Sequence, residues 1–454
     1  MKSARPNNLN WSMKHSLIVS FILVLCFSRP AAAQTTVVSL EEIITLAMEQ
    51  NYDVRVANTF AQSAQVDDKY AVGAFFPVIS ANGSRTWNIN DQQQILRNDS
   101  LVERNGVRTN NLAGSLQANW LVFDGARMFA TRERLQQLAE QGLINVKDQM
   151  IQTISQVVLN YFNVVRQKQQ LTSIREQVLL SEERVRLADR RFAVGTGAKP
   201  ELLQAKVDLN AQRTAAITQE TTIAQLKDQL NGMVNHRLPP VYDVADTIII
   251  DLNIERSDIE SKTEANNYTL QSFKKGIDIA GLSVRERKGE RYPFISLLGS
   301  YNFSRTENEV VINNFTPLFN KNSGFNYGLN FTFPIMNGFI NRRNIQQARI
   351  NLDRSRLYYD QAKIATDVAV KNAYIAYENA KRVLIIEEEN IGLAKENIYI
   401  ALESFKRSAN TFIEVRTAQQ SLADAYNRLI NARYIAKVAE TDLLRLSGQL
   451  LQEK

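Results

Sequence analysis

The stretch Arg191-Phe192-Ala193-Val194-Gly195-Thr196-Gly197-Ala198-Lys199-Pro200-Glu201 returns later as Ser404-Phe405-Lys406-Arg407-Ser408-Ala409-Asn410-Thr411-Phe412-Ile413-Glu414. Phenylalanine falls on phenylalanine and glutamate on glutamate, at an offset of 213 positions. The same offset sets Tyr161 beside Tyr374, Leu171 beside Leu384, and Phe123-Asp124-Gly125 beside Met336-Asn337-Gly338. A similar offset sets Pro77-Val78-Ile79-Ser80 beside Pro293-Phe294-Ile295-Ser296. An internal duplication this long decides the fold, because each half must then be one unit of the same architecture.

Upstream of each copy lies a long helical stretch, from about 124 to 192 and from about 337 to 405, without a proline. Ile151, Ile154, Val158, Tyr161 and Val165 step by three and four, the spacing of a packed helix seam. Roughly 68 residues at 1.5 Å each make a helix of about 100 Å, several times the thickness of a bilayer, so it must project away from any membrane. Gly195-Thr196-Gly197 then turns the chain, and Pro200 sits in the first turn of a returning helix, where a missing N–H costs little. The returning helices are expected over about 199–232 and 412–447. In the second copy Ser408-Ala409-Asn410 stands where the glycines were.

Further upstream the period changes from 3.6 to 2. Strands are expected at about 77–90 and 112–123, and at about 293–305 and 324–335. One face carries Ile79, Trp87, Leu116, Trp120, Tyr301, Phe303, Phe325, Tyr327 and Phe331; the other carries mainly Ser and Asn. Arg85 falls on the apolar face and Phe123 on the polar one. Segments of 9–11 residues with an aromatic-rich apolar face and an uncharged polar face have the dyad pattern of outer-membrane strands. A half-buried soluble hairpin shares the alternation. A helix precedes each strand pair, at about 39–70, opened by a Ser39…Glu42 capping box, and at about 267–290. The halves thus run over 34–234 and 266–454. Residues 235–265 join them, with Pro239-Pro240 as a loop and Thr247-Ile248-Ile249-Ile250 as a short strand.

The N-terminus reads as a cleaved secretory signal over 1–33: Lys2, Arg5 and Lys14, an apolar run from Leu17 to Phe27, then Ala31-Ala32-Ala33. Leu25, ahead of Cys26, is bulkier than a lipid-attachment site takes. Without Lys2, Arg5, Lys14 and Arg29 the formal charge of +7 falls to +3, so the basic balance does not point to nucleic acid. Cys26, the only cysteine, lies in the same segment, which leaves no thiol or disulfide chemistry. His236 is the one remaining histidine. No metal-ligand cluster, phosphate loop, nucleophile or acid pair marks an enzyme, and no cofactor is implied.

Four strands cannot close a membrane barrel, and open sheet edges are not tolerated in lipid. Closure needs several chains. Three would supply twelve strands, with their helices continuing the same axis as a hollow cylinder.

The order helix, hairpin, long helix, turn, helix, given twice behind a signal segment, resembles the TolC-type outer-membrane efflux proteins over about residues 38–450. The most specific parts are Phe192-Ala193-Val194-Gly195-Thr196-Gly197 and Phe405 through Glu414-Val415-Arg416-Thr417-Ala418, which resemble the family's helical-hairpin tips. The resemblance implies a homotrimer with a twelve-stranded β-barrel in the outer membrane and an α-helical barrel in the periplasm. It also implies partners, a periplasmic adaptor and an inner-membrane pump, and no catalysis. Carried over by position, Val194, Gly195 and Thr196 form one adaptor-docking tip and Ser408, Ala409 and Asn410 the other. The periplasmic gate or pore ring falls on Glu201, Phe405, Asn410, Glu414 and Thr417. Carboxylates around a narrow pore favour cations, whereas a glutamate in a first helical turn is also an ordinary partner of the helix dipole. Two departures stand out: uncharged Thr417 at a family acidic ring, and Asn410 at the family's gate arginine, so the closed state is looser or latched elsewhere. The alternative is a secreted trimeric coiled-coil scaffold or adhesin-like protein without a pore, which leaves the strands unexplained.

Overall fold

The computed structural model describes residues 36–97, 99–310, 316–407, 409 and 411–451. The expected signal segment, Ser408 and Asn410 lie outside them. The chain is mainly helical, with one four-stranded sheet at one end.

In chain order the elements are β1 (Thr36–Val37), α1 (Leu40–Gln50), α2 (Tyr52–Ala71), β2 (Val78–Ile95), β3 (Leu101–Asp124), α3 (Arg127–Ala193) and α4 (Lys199–Met233). Then follow β4 (Tyr242–Asp243), α5 (Arg256–Asn266), α6 (Tyr268–Gly289), β5 (Phe294–Asn308), β6 (Phe319–Thr332), α7 (Ile340–Lys406) and α8 (Phe412–Leu446). The long helices α3 and α7 each hold 67 residues and the returning helices α4 and α8 each hold 35.

The helix expected over 39–70 is two helices. Asn51 leaves helical geometry at φ −61°, ψ 131°, and its side chain accepts from the Asp53 and Val54 amides while donating to the Met233 carbonyl at 2.9 Å. Asparagine is a strong cap because its short side chain satisfies amides that a helix start leaves open. Asn267 does the same between α5 and α6, accepting from Leu270 N–H and donating to the Leu446 carbonyl at 2.9 Å. Two such asparagines peg the short helices to the ends of α4 and α8.

The aligned residues Tyr161 and Tyr374 differ in their bonding. Tyr161 is buried, donates to the Val38 carbonyl and accepts from Ala245 N–H. The same kind of bonding is made in the second half by Tyr377, buried, which donates to Asp251 O and accepts from Ile254 N–H, whereas Tyr374 is only half-buried. These tyrosines hold the inter-helix segment against α3 and α7. Residues 247–250 carry no strand; the short strand is β4, parallel to β1 through Thr36–Tyr242 and Val37–Asp243. Lys168 and Lys227 both reach the Asp243 carboxylate, at 2.7 and 2.8 Å.

The sheet runs β2-β3-β5-β6, antiparallel throughout. β3 begins at Leu101, well before the expected 112, so the β2–β3 hairpin is longer than its alternating core suggests. A bulge at Val122 breaks the strict alternation and sets Phe123 opposite Ile295, in the apolar row. Gly125 (φ +76°) with Ala126, and Gly338 (φ +61°) with Phe339, turn the sheet into α3 and α7 through left-handed backbone. A Cβ on Gly125 would stand 2.1 Å from the Gly289 carbonyl oxygen, so no other residue fits there.

Each long helix pairs with its returning helix. Arg175–Glu220 bridges the first pair at 2.8 Å; 213 positions on, Glu388–Arg433 bridges the second at 3.3 Å with the signs exchanged. Burial, not exposed ion pairs, holds such helices together.

Candidate functional site

At the first tip, the Arg191 carbonyl accepts from the Thr196 and Gly197 amides, both at 2.9 Å. Gly195, at φ +79°, supplies the left-handed turn that ends α3. Gly197 is fixed sterically, because a Cβ there would stand 2.8 Å from Arg191 Cβ. This tight turn presents Val194, 73 % exposed, with Gly195 and Thr196 beside it.

At the second tip, Ala409 N–H reaches the Ser404 carbonyl at 2.9 Å, the counterpart of the Thr196–Arg191 bond. Ser408 and Asn410 lie outside the described residues. Thr411 caps α8 in a reciprocal box: its hydroxyl accepts from Glu414 N–H at 3.3 Å and the Glu414 carboxylate accepts from Thr411 N–H at 2.9 Å. Glu414 is exposed, and Thr417, also exposed, bonds back to the Ile413 carbonyl. Glu201 is half-buried in the first turn of α4, where Ala198 provides no side-chain cap.

Phe405, expected at the gate, is a core side chain. It is 2 % exposed, packed with Ala188, Leu202, Ile398, Phe412 and Val415 in the core where the two hairpins meet, with the Arg191 guanidinium 4.7 Å from its ring centre. Its aligned partner Phe192 is 42 % exposed. The ring therefore joins hairpin to hairpin and is closed off from solvent.

Inside the tips sits a polar cluster that sequence reading missed. Asp208 on α4 holds Arg184 of α3 at 2.5 Å and Arg416 of α8 at 3.3 Å, while Gln204 donates to its other oxygen at 2.8 Å. Gln419 of α8 donates to Ser181 Oγ and to the Gln177 carbonyl of α3. All of these residues except Gln204 line a cavity of about 110 Å³. The Arg184 side chain is nearly buried and lies 5.1 Å from the Phe412 ring centre. Burial pulls its guanidinium below the usual range, with Asp208 opposing that pull and Arg416 adding to it. One carboxylate thus ties three helices and both hairpins. No local pattern announces it, since Asp208 and Arg416 stand 208 positions apart; only Arg416, inside the duplicated stretch, was singled out.

A family model described as outer membrane efflux protein matches residues 43–236 and 260–449. Outer membrane efflux protein BepC of Brucella suis biovar 1 (strain 1330) is 24 % identical over 358 residues, covering 76 % of this chain and 74 % of the relative. Outer membrane protein TolC of Salmonella enteritidis is 22 % identical over 372 residues, 77 % and 72 % of the two chains. Among solved structures, CusC superposes with a TM-score of 0.74 at 17 % identity, covering 93 % of this chain and 95 % of that one. The Campylobacter jejuni CmeC outer membrane channel gives 0.73 at 17 % identity, covering 90 % and 85 %.

Proposed function

The chain belongs to the outer membrane efflux protein family, and from that premise we propose that it is the outer-membrane channel of a tripartite efflux or type I secretion system. It conducts substrates passively from a periplasmic adaptor and inner-membrane pump to the outside. Family members are channels rather than enzymes. The protein resides in the outer membrane, with its helices reaching into the periplasm.

The observation that carries the reading is the sheet. It has two dissimilar faces and two edges, β2 and β6, that pair with nothing further among the described residues, on a chain whose other end is about 100 Å of helix. Among the described residues no helix is long and apolar enough to cross a membrane. Sheet edges in lipid must be paired, and joining β6 of one copy to β2 of the next in a ring of three gives a twelve-stranded barrel. A coiled-coil scaffold needs no such sheet.

Within that channel Val194, Gly195, Thr196, Ser408, Ala409 and Asn410 form the adaptor-docking tips, and Glu201 and Glu414 narrow the periplasmic mouth. Thr417 leaves one family ring position uncharged. With Asn410 in place of an arginine, the closed state is held instead by Asp208, Arg184 and Arg416, which tie the two hairpins of one chain. Membrane fractionation with bilayer conductance tests the reading: outer-membrane location and discrete channel openings support it, and a soluble or non-conducting trimer overturns it.

A further inference from the structure

Arg85 stands opposite Leu112, Leu112 opposite Arg305, and Arg305 opposite Lys321. Residues directly opposed across antiparallel strands point to the same face, so Arg85, Arg305 and Lys321 share one face and one level. It is the face of Leu116, Tyr301 and Phe325, which form another such row, two levels nearer the helices. The opposite face at neighbouring levels holds Thr86, Asn111, Thr306 and Asn320, all uncharged. The charges therefore lie on the aromatic side, not on the polar side that faces the lumen of a closed barrel.

Each cation also leans on a ring of that side. Arg85 is 4.8 Å from the Trp87 ring centre, Arg305 5.4 Å from Phe319 and Lys321 5.8 Å from Phe303. Such contacts suit side chains that run along apolar surface with the charge at its edge. The level agrees. Ile295, opposite Phe331, begins the apolar face at the helix end. Ten residues from Ile295 to Arg305, at about 3.3 Å each and a tilt of about 40°, rise about 25 Å, the height of an outer-membrane apolar band. The row thus marks the far edge of the band, away from the helices. Two carboxylates stand near it: Glu307, paired with Arg305, and Glu309, paired with Arg108 at 3.7 Å. Four cations against two acids leave the rim positive.

We propose that this row is a binding surface for the phosphate groups of an anionic lipid in the outer leaflet. The acyl chains lie against Leu116, Tyr301 and Phe325, and the phosphates meet Arg85, Arg305 and Lys321. The proposal rests on the barrel reading above. Each cation near an anionic surface contributes roughly fivefold in affinity, so three together give about a hundredfold preference.

The test is native mass spectrometry of the full-length protein in detergent, titrated with a bis-phosphorylated glycolipid or with zwitterionic phosphatidylcholine. Wild type retains the phosphorylated lipid about a hundredfold better. The triple variant Arg85→Gln, Arg305→Gln, Lys321→Gln loses most of that preference, and the charge-keeping triple Arg85→Lys, Arg305→Lys, Lys321→Arg retains it. Excess inorganic phosphate leaves the lipid bound. Equal retention of both lipids by wild type, an unchanged preference in the glutamine variant, or displacement by inorganic phosphate overturns the proposal. Oligomer mass and bilayer conductance of the same samples report separately on the channel reading. A conducting trimer without lipid preference sinks only the lipid surface.

Discussion

Asp208 of the first hairpin and Arg416 of the second meet at 3.3 Å, on the same carboxylate oxygen that the buried Arg184 reaches at 2.5 Å. The two contacts differ in cost. Arg184 is only 3 % exposed, while Arg416 is 55 % exposed. Asp208→Asn leaves a buried guanidinium without its counter-ion and is expected to cost about 3–5 kcal/mol. Arg416→Ala removes an exposed partner and costs under about 1 kcal/mol. Thermal unfolding followed by circular dichroism in detergent checks this order; equal losses refute it.

Phe405 and Phe192 are the same letter in the duplicated stretch, and the structure treats them differently. Phe405→Ala empties part of the core between the hairpins and is expected to cost about 3–5 kcal/mol, whereas Phe192→Ala costs well below that. Urea unfolding of the two variants measures the difference. A small loss at Phe405 would return it to the gate.

Glu414 is exposed, and its side chain closes a capping box on Thr411. Glutamine also serves in that box. Glu414→Gln should therefore leave the melting temperature nearly unchanged and isolate the charge. Single-channel recordings are expected to show weaker block by divalent cations; unchanged block and selectivity remove Glu414 from the pore mouth.

The duplicated tip, the long helices and the two-faced strands were legible because each is a local or periodic signal. What escaped was long-range or single-residue. Asn51 breaks a continuous helical pattern by capping, and Val122 shifts a register by one residue. Tyr377, aligned with Val164 at the offset of 213, makes the hydrogen bonds that Tyr161 makes in the first half, so the bonding role moved by one helical turn while the register held. The Asp208 cluster joins three helices that only folding brings together. At the tips the turn chemistry was readable from Gly195 and Pro200, but the burial of Phe405 depends on where the second hairpin packs.

The cluster of Lys168, Lys227 and Asp243 predicts a pH response. Burial raises the Asp243 carboxyl, but hydrogen bonds from Lys168 and Lys227 outweigh that and leave it below its ordinary value of 3.8. A carboxyl lowered by folding adds stability at pH above its unfolded value, and the protein loses it as pH falls through the folded one. The melting temperature of wild type should therefore drop as pH goes below about 4. In Asp243→Asn that part of the slope disappears, and a variant with the wild-type slope would contradict the assignment.

Val194 is the most exposed large apolar residue of the first tip, held by a turn that Gly195 and Gly197 fix. Val194→Asp should leave folding and conductance intact and weaken adaptor binding by about tenfold or more, as loss of an apolar anchor does. Surface-bound adaptor titrated with each channel variant reads this, and equal affinities would move the docking site elsewhere.

One chain is proposed to supply a third of a channel. The most direct measurement is the mass of the purified full-length protein in detergent by native mass spectrometry. Three chains per particle, with no smaller species at working concentration, is the predicted result; a monomer would contradict it.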